Sequence, residues 1–350
     1  MSKYDSSAIR NMAFVGHGTA GKTLLCEALL KEAGLATRVP AGIMDYAQDE
    51  KERGYSIDSS IAHFSWKDKE INIIDVPGYQ EFFHNIVSSL SVVETAVIVI
   101  GASEGISVNT RRAWTIAQKN GMAKAIVLTK LDNENVSFEN LLAQINETFG
   151  NQCIPLVIPD TTGPQFSKVQ NILNDTGAEY RDKLIEVTVE TDDELLNKYL
   201  EGQEISPEII QAQLKKAIRQ GKVIPILAVS PNKEIGVKEF LEIIVEYFPS
   251  PLDAPQKEGN IPGKEAKVTF APKEEDPFSA QVFKVYNDPF GRLVYFRVYS
   301  GSINSSSSIY LANLDKTERI GNIAQSIGKE MKNIEKAIPG DIVEIGRAHV

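Results

Sequence analysis

The feature that most constrains this chain is an apolar strand running directly into Gly16-His17-Gly18-Thr19-Ala20-Gly21-Lys22-Thr23. The octapeptide fits GxxxxGK[ST], with Ala13-Phe14-Val15 before it and a helical pattern from Thr23 to Ala33 after it. Glycines at this spacing let successive backbone N–H groups turn inward around phosphate oxygens at a helix N-terminus. Residues His17 to Gly21 would form that cradle. Lys22 would reach the β- and γ-phosphates, and the Thr23 hydroxyl would ligate Mg²⁺.

The surrounding pattern predicts the fold class. Apolar strands at Ile71–Ile74, Ala96–Ile100 and Ala125–Leu128 alternate with helical stretches such as Val108–Asn120. Strand, loop and helix in repeated order predict an α/β, doubly wound, mostly parallel sheet with ligand loops at the carboxyl ends of its strands. From residue 133 to 222 the pattern loosens, which reads as a subdomain inserted into the sheet domain of residues 1–132 and 223–250. Residues 251–276, rich in Pro, Lys and Glu, read as a linker. Residues 277–350 change to short alternating strands, as in a small antiparallel β-barrel that the chain leaves incomplete.

Two further loops follow strands. Asp75-Val76-Pro77-Gly78 closes the second apolar strand, where Asp75 suits a water-mediated hold on the metal and the Gly78 N–H suits the γ-phosphate. Thr129-Lys130-Leu131-Asp132 closes a later one. A carboxylate at Asp132 can accept both the N1 and N2 protons of guanine, which adenine does not offer. Together the three loops spell a P-loop GTPase that binds GTP and GDP. The net charge of −10 argues against nucleic-acid binding through a general basic surface. The longest apolar run, Ala96 to Ala102, falls far short of the ~20 residues of a membrane span, so no membrane partner is expected. Cys26 and Cys153 fit neither a metal spacing nor a disulfide framework, and no signal-type stretch precedes the first motif, so the cytoplasm is the expected compartment.

Asp45 through Ile57 (DYAQDEKERGYSI) resembles the first switch of elongation factor G, and Asp75 through Phe82 (DVPGYQEF) resembles its second. Thr191 to Glu204 looks like a helix of that family's inserted subdomain. Asp288-Pro289-Phe290-Gly291 and Phe296 to Gly301 look like its second, β-barrel domain. The resemblance implies a translational GTPase whose partners are the ribosome, at its GTPase-associated centre and ribosomal RNA, and the guanine nucleotide. A monomer is expected. It also implies that Ser56 stands in for a Thr that ligates Mg²⁺, and that Lys22, Gly78 and Tyr79 are the catalytic positions. Tyr79 occupies the place of a His that positions the attacking water. Imidazole titrates near neutrality and a phenol is no base there, and this Tyr points to elongation factor G-like paralogues. Thr129 stands for the usual Asn, and Thr129, Lys130 and Asp132 would hold guanine. Val229-Ser230-Pro231-Asn232 departs from a Ser-Ala loop whose Ala N–H bonds guanine. Pro231 has no N–H, so with Ser230 facing the base either a neighbouring amide substitutes or guanine is held less tightly.

The acidic run Asp49 to Glu52 reads as a solvated part of the first switch. Glu344 to Val350 (EIGRAHV) matches the in-frame translation of a common sequencing adapter, so a truncated reading frame with a foreign tail is expected. Three rivals accompany the GTPase reading: a GTP-gated ribosome binder with little hydrolysis, a release or ribosome-protection factor, and an ATP-using P-loop enzyme.

Overall fold

The computed structural model describes residues 4–173, 179–260, 267–288 and 291–346. The chain divides into two compact units, one of Met12–Ser60 and Ile74–Pro249, the other of Met1–Asn11, Ile61–Ile73 and Ser250–Val350. In chain order the first elements are β1 (Ile9–Gly16), α1 (Lys22–Glu32), α2 (Gln48–Arg53), β2 (Ser60–Trp66), β3 (Lys69–Asp75), α3 (His84–Leu90), β4 (Thr95–Gly101) and α4 (Val108–Lys119). Next come β5 (Ala123–Thr129), α5 (Phe138–Phe149), β6 (Cys153–Pro159), β7 (Val169–Asn171), α6 (Glu179–Val189), α7 (Asp193–Leu200), α8 (Pro207–Arg219), β8 (Ile224–Ala228) and α9 (Val237–Tyr247).

In the larger unit β1 runs parallel to β4, from Met12↔Thr95 to Gly16↔Val99. Beyond it β4 pairs with β5, β5 with β8, and β8 with β6, all parallel. The short β7 closes the edge antiparallel to β6. Every residue of β1, β4 and β5 is buried, as strands of a parallel sheet covered on both faces must be. Phe14 on β1 meets Phe240 on α9 at 6.1 Å between ring centroids, and α9 also packs on α1 and α8.

Residues 133–222, expected as an insertion, thus contribute β6 to this same sheet. Its sequence, Cys-Ile-Pro-Leu-Val-Ile-Pro, hides a strand behind two prolines. A register shift between Pro155 and Val157 accommodates the missing ladder donor.

In the smaller unit the chain continues as β9 (Lys257–Asn260), β10 (Lys267–Phe270), β11 (Ser279–Asp288), β12 (Gly291–Ser300), β13 (Ile303–Asn304) and β14 (Ser308–Leu311). It ends with β15 (Lys316–Arg319), β16 (Ile323–Ile327), β17 (Glu330–Ile334), β18 (Lys336–Ala337) and β19 (Ile342–Ile345). Antiparallel pairs join β11 to β12, β12 to β19, β19 to β16 and β16 to β17 around a core that includes Phe296, Val298, Ile323 and Val343. The stretch expected as a linker holds the antiparallel pair β9–β10, whose largely exposed faces give it little apolar periodicity. Glu344 and Ile345, expected in a foreign tail, are paired residues of β19; residues 347–350 of that tail, and Pro289-Phe290 of the barrel motif, lie outside the described residues.

Buried polar groups also organise this unit. Asn11 donates its amide to the Gly340 carbonyl, and Asn72 donates to Asn11. The Tyr4 hydroxyl and the Ile338 N–H both donate to the Asp341 carboxylate. Burial pushes Asp341 up to about 6 despite those donors. Among the described residues no helix is long and apolar enough to cross a membrane.

Candidate nucleotide site

The sheet gathers the three motif loops at the carboxyl ends of β1, β3 and β5, all within the larger unit. Gly21 caps α1 in the left-handed region (φ 84°), a conformation that glycine adopts without a Cβ penalty. Lys22 is buried, and its ammonium donates to the carbonyls of His17 (2.8 Å) and Gly16 (3.4 Å). Burial lowers its pKa, and nearby Asp75 opposes that shift.

Thr23 lies beside Asp75 and Ser56. Its hydroxyl donates to Asp75 Oδ2 at 2.6 Å, and the Ser56 hydroxyl donates to Asp45 Oδ1 at 2.8 Å. The two hydroxyl oxygens stand 3.1 Å apart. Thr23, Ser56, Asp45 and Asp75 thus form one hydrogen-bonded cluster of oxygens. Asp75 Oδ1 is buried and without a hydrogen-bond partner. Burial lifts Asp75 to about 7 against the pull of Lys22 and Thr23, and burial also raises Asp45. An oxygen-rich pocket short of positive charge is what a hard divalent cation requires. Among the described residues no group of three or more His, Cys, Asp or Glu is arranged to hold a metal ion, so hydroxyls would have to complete this one.

Gly78 sits so close to the P-loop that a Cβ there would lie 2.5 Å from Gly18 N and from Lys22 Nζ. Its carbonyl accepts a hydrogen bond from the buried amide of Asn109, the second residue of α4. The Tyr79 ring lies over Gly18, where any Cβ would come within 2.7 Å of it, and stands 4.7 Å from the Tyr55 ring and 6.5 Å from that of His17. Both tyrosines belong to the stretches that read as switches.

The loops expected to read the base follow β5 and β8. Thr129 donates its hydroxyl to the Ala20 carbonyl at 2.6 Å, linking the loop after β5 to the P-loop. Lys130, in the left-handed region at φ 57°, pairs with Glu104 at 2.5 Å, and Thr19 donates to the same Glu104 oxygen at 3.4 Å. Asp132 is half-buried at the loop's end. Ser230 is fully buried; its N–H donates to Ile235 and its hydroxyl oxygen accepts from the Lys233 N–H, so both groups point into their own loop. Lys233 in turn donates to the carbonyls of Pro164 and Phe166.

Several members escape motif reading. Asp45 is one. Glu50 is another: within the acidic run it alone is buried, and it accepts the N–H groups of Ile57 (2.9 Å) and Asp58 (3.3 Å). Asn109 and Glu104 complete the set. Only a residue's place in the fold, not its neighbours in sequence, marks them.

Comparison with known proteins agrees with this geometry. The profile of the elongation factor Tu GTP binding domain matches residues 7–250, and that of elongation factor G domain 2 matches residues 277–349. The chain is 30% identical to an elongation factor G-like protein of Thermotoga maritima over 354 residues, covering 96% of this chain and 52% of the relative. A crystal structure of a Thermus thermophilus protein superposes with a TM-score of 0.83 at 28% identity, covering 98% of this chain and 53% of that one. The chain therefore spans about half the length of the relatives it matches.

Proposed function

Since the chain belongs to the elongation factor G-like members of the elongation factor Tu-type GTPase family, we propose that it binds GTP and GDP with Mg²⁺ at the Thr23 site and hydrolyses GTP during a step of translation on the ribosome. The observation that carries this reading is the Thr23–Ser56–Asp75–Asp45 cluster with its unpartnered Asp75 oxygen. Thr23 and Ser56 would ligate the metal, with Asp75 holding it through water. When bound, Mg²⁺ supplies the positive charge that offsets charge on the phosphates.

The chain's own residues divide the remaining work. Lys22 would exchange the Gly16 and His17 carbonyls for phosphate oxygens, a charge-assisted and stronger bond. Backbone groups of His17, Gly18, Thr19, Ala20 and Gly21 would cradle the phosphates, and Gly78 would offer its amide to the γ-phosphate. Thr129 keeps the base loop in register with the P-loop, Asp132 reads guanine, and Lys130 lies along the nucleotide. Tyr79 would orient the water by its hydroxyl, so catalysis rests on positioning and charge rather than on a protein base. The proposed partners are the GTPase-associated centre and ribosomal RNA, met by a monomer in the cytoplasm.

One contact favours a second reading, a GTP-gated ribosome binder with slow hydrolysis: the Tyr79 ring shields Gly18 and leans on Tyr55. Nucleotide binding and GTP turnover with and without ribosomes test both. Strong stimulation supports the hydrolase. Tight GTP binding without turnover, converted to turnover by Tyr79→His, supports the binder. Efficient displacement of bound GTP by ATP would sink both.

A further inference from the structure

Glu27 lies one turn after Thr23 on α1, so both side chains leave the same face of the helix. It is buried, with 1% of its surface exposed. Its carboxylate is filled by main-chain donors from the approach to Asp45: Ala41 N–H to Oε2 at 2.5 Å, and Ile43 N–H (2.7 Å) and Met44 N–H (3.3 Å) to Oε1. The Ser60 hydroxyl donates to the Met44 carbonyl, closing the far end of the same stretch. A buried carboxylate is tolerated only while such donors satisfy it. If residues 41–44 lifted away, Glu27 would lose all three donors at once, so the helix that carries Thr23 resists that movement.

We propose that Glu27 is a positioning residue that fastens residues 41–44 to α1 and thereby sets where Asp45 and Ser56 stand relative to Thr23. In this role it would contact neither nucleotide nor metal. Its effect passes through the backbone to the Asp45–Ser56–Thr23 chain of hydrogen bonds. This inference rests on the reading of that cluster as a Mg²⁺–nucleotide site. Glutamine at position 27 keeps the volume but has a single acceptor oxygen, so at least one of the three N–H groups would face an NH₂ group instead.

The test uses the full chain and two readouts. In the nucleotide-free protein, Glu27→Gln should speed hydrogen exchange at the Ala41, Ile43 and Met44 amides by about tenfold, the loss expected for one charge-assisted bond, while amides of α1 and α9 stay unchanged. With a fluorescent GDP analogue, the Mg²⁺ concentration that half-maximally slows nucleotide release should rise by about tenfold, with release in excess chelator unaltered. Glu27→Asp, which keeps the charge and loses one methylene, should shift both readouts in the same direction by less, and it carries the test if the Gln variant fails to fold. Equal acceleration of release with and without Mg²⁺, or exchange rising throughout α1, would overturn the proposal in favour of a general packing role. Mg²⁺-independent release from the unaltered chain would instead overturn the metal-site reading itself, and the proposal with it.

Discussion

At Thr129 one hydroxyl connects two loops that lie 109 residues apart in sequence. A threonine reaches less far than the usual asparagine, and here it reaches the Ala20 carbonyl of the P-loop. Thr129→Val keeps the shape and leaves that carbonyl unpaired, which costs on the order of 1 kcal/mol and predicts about fivefold weaker GDP binding by equilibrium titration. An unchanged affinity would remove Thr129 from the site. Lys22, Thr23, Asp75 and Asp132 were legible because their spacing from strand ends is itself the signal. Glu27, Asp45 and Glu50 were not, because Glu27 and Glu50 bind backbone amides, which every sequence offers, and Asp45 binds a serine eleven residues away. Ser230, expected beside the base, is buried with its N–H and hydroxyl engaged by its own loop.

Helix α4 illustrates how an element carries a site that its own sequence does not advertise. Ser107 caps it by accepting the Thr110 N–H at 3.2 Å, and two residues on, Asn109 holds the Gly78 carbonyl. Ser107→Ala removes the cap at a cost of about 1 kcal/mol and should lower the melting temperature of this unit by roughly 2–4 °C. The same variant should loosen Gly78, visible as faster exchange around residues 76–79; lowered melting with unchanged exchange there would separate cap from site. Strands β1, β4 and β5 were readable from their apolar runs Ala13–Val15, Ala96–Ile100 and Ala125–Leu128. Strand β2 was not, since His63 and Ser65 interrupt its apolar residues, with His63 bonded to Asn72 and Glu70. Strand β6 was obscured by its prolines, and β9 and β10 by their shortness and scant burial. Burial, which decides these cases, depends on partners far away in sequence.

For the molecule as a whole, the smaller unit carries a pH dependence that the motifs do not hint at. Asp341 titrates near 6 when folded, chiefly through burial, against an ordinary value of 3.8. Because the folded state binds the proton more tightly, its contribution is fully present below about pH 4 and is lost as pH rises to about 6, on the order of 3 kcal/mol in all. Denaturant titrations between pH 4 and 7 should show this decline, and Asp341→Asn should flatten it; a slope that persists in the variant would assign it to another group. The hydroxyl that Asp341 receives comes from Tyr4, 337 residues earlier in the chain. Asn11 likewise waits for Gly340, across 329 residues. On a ribosome adding about 5–20 residues per second, these first residues would emerge roughly 20–70 s before their partners exist. The larger unit, interrupted only by Ile61–Ile73, can complete its sheet in that interval. Residues 4–11 thus wait for residues 338–341 to be made, and anything that shields or captures them meanwhile delays the closing of the smaller unit.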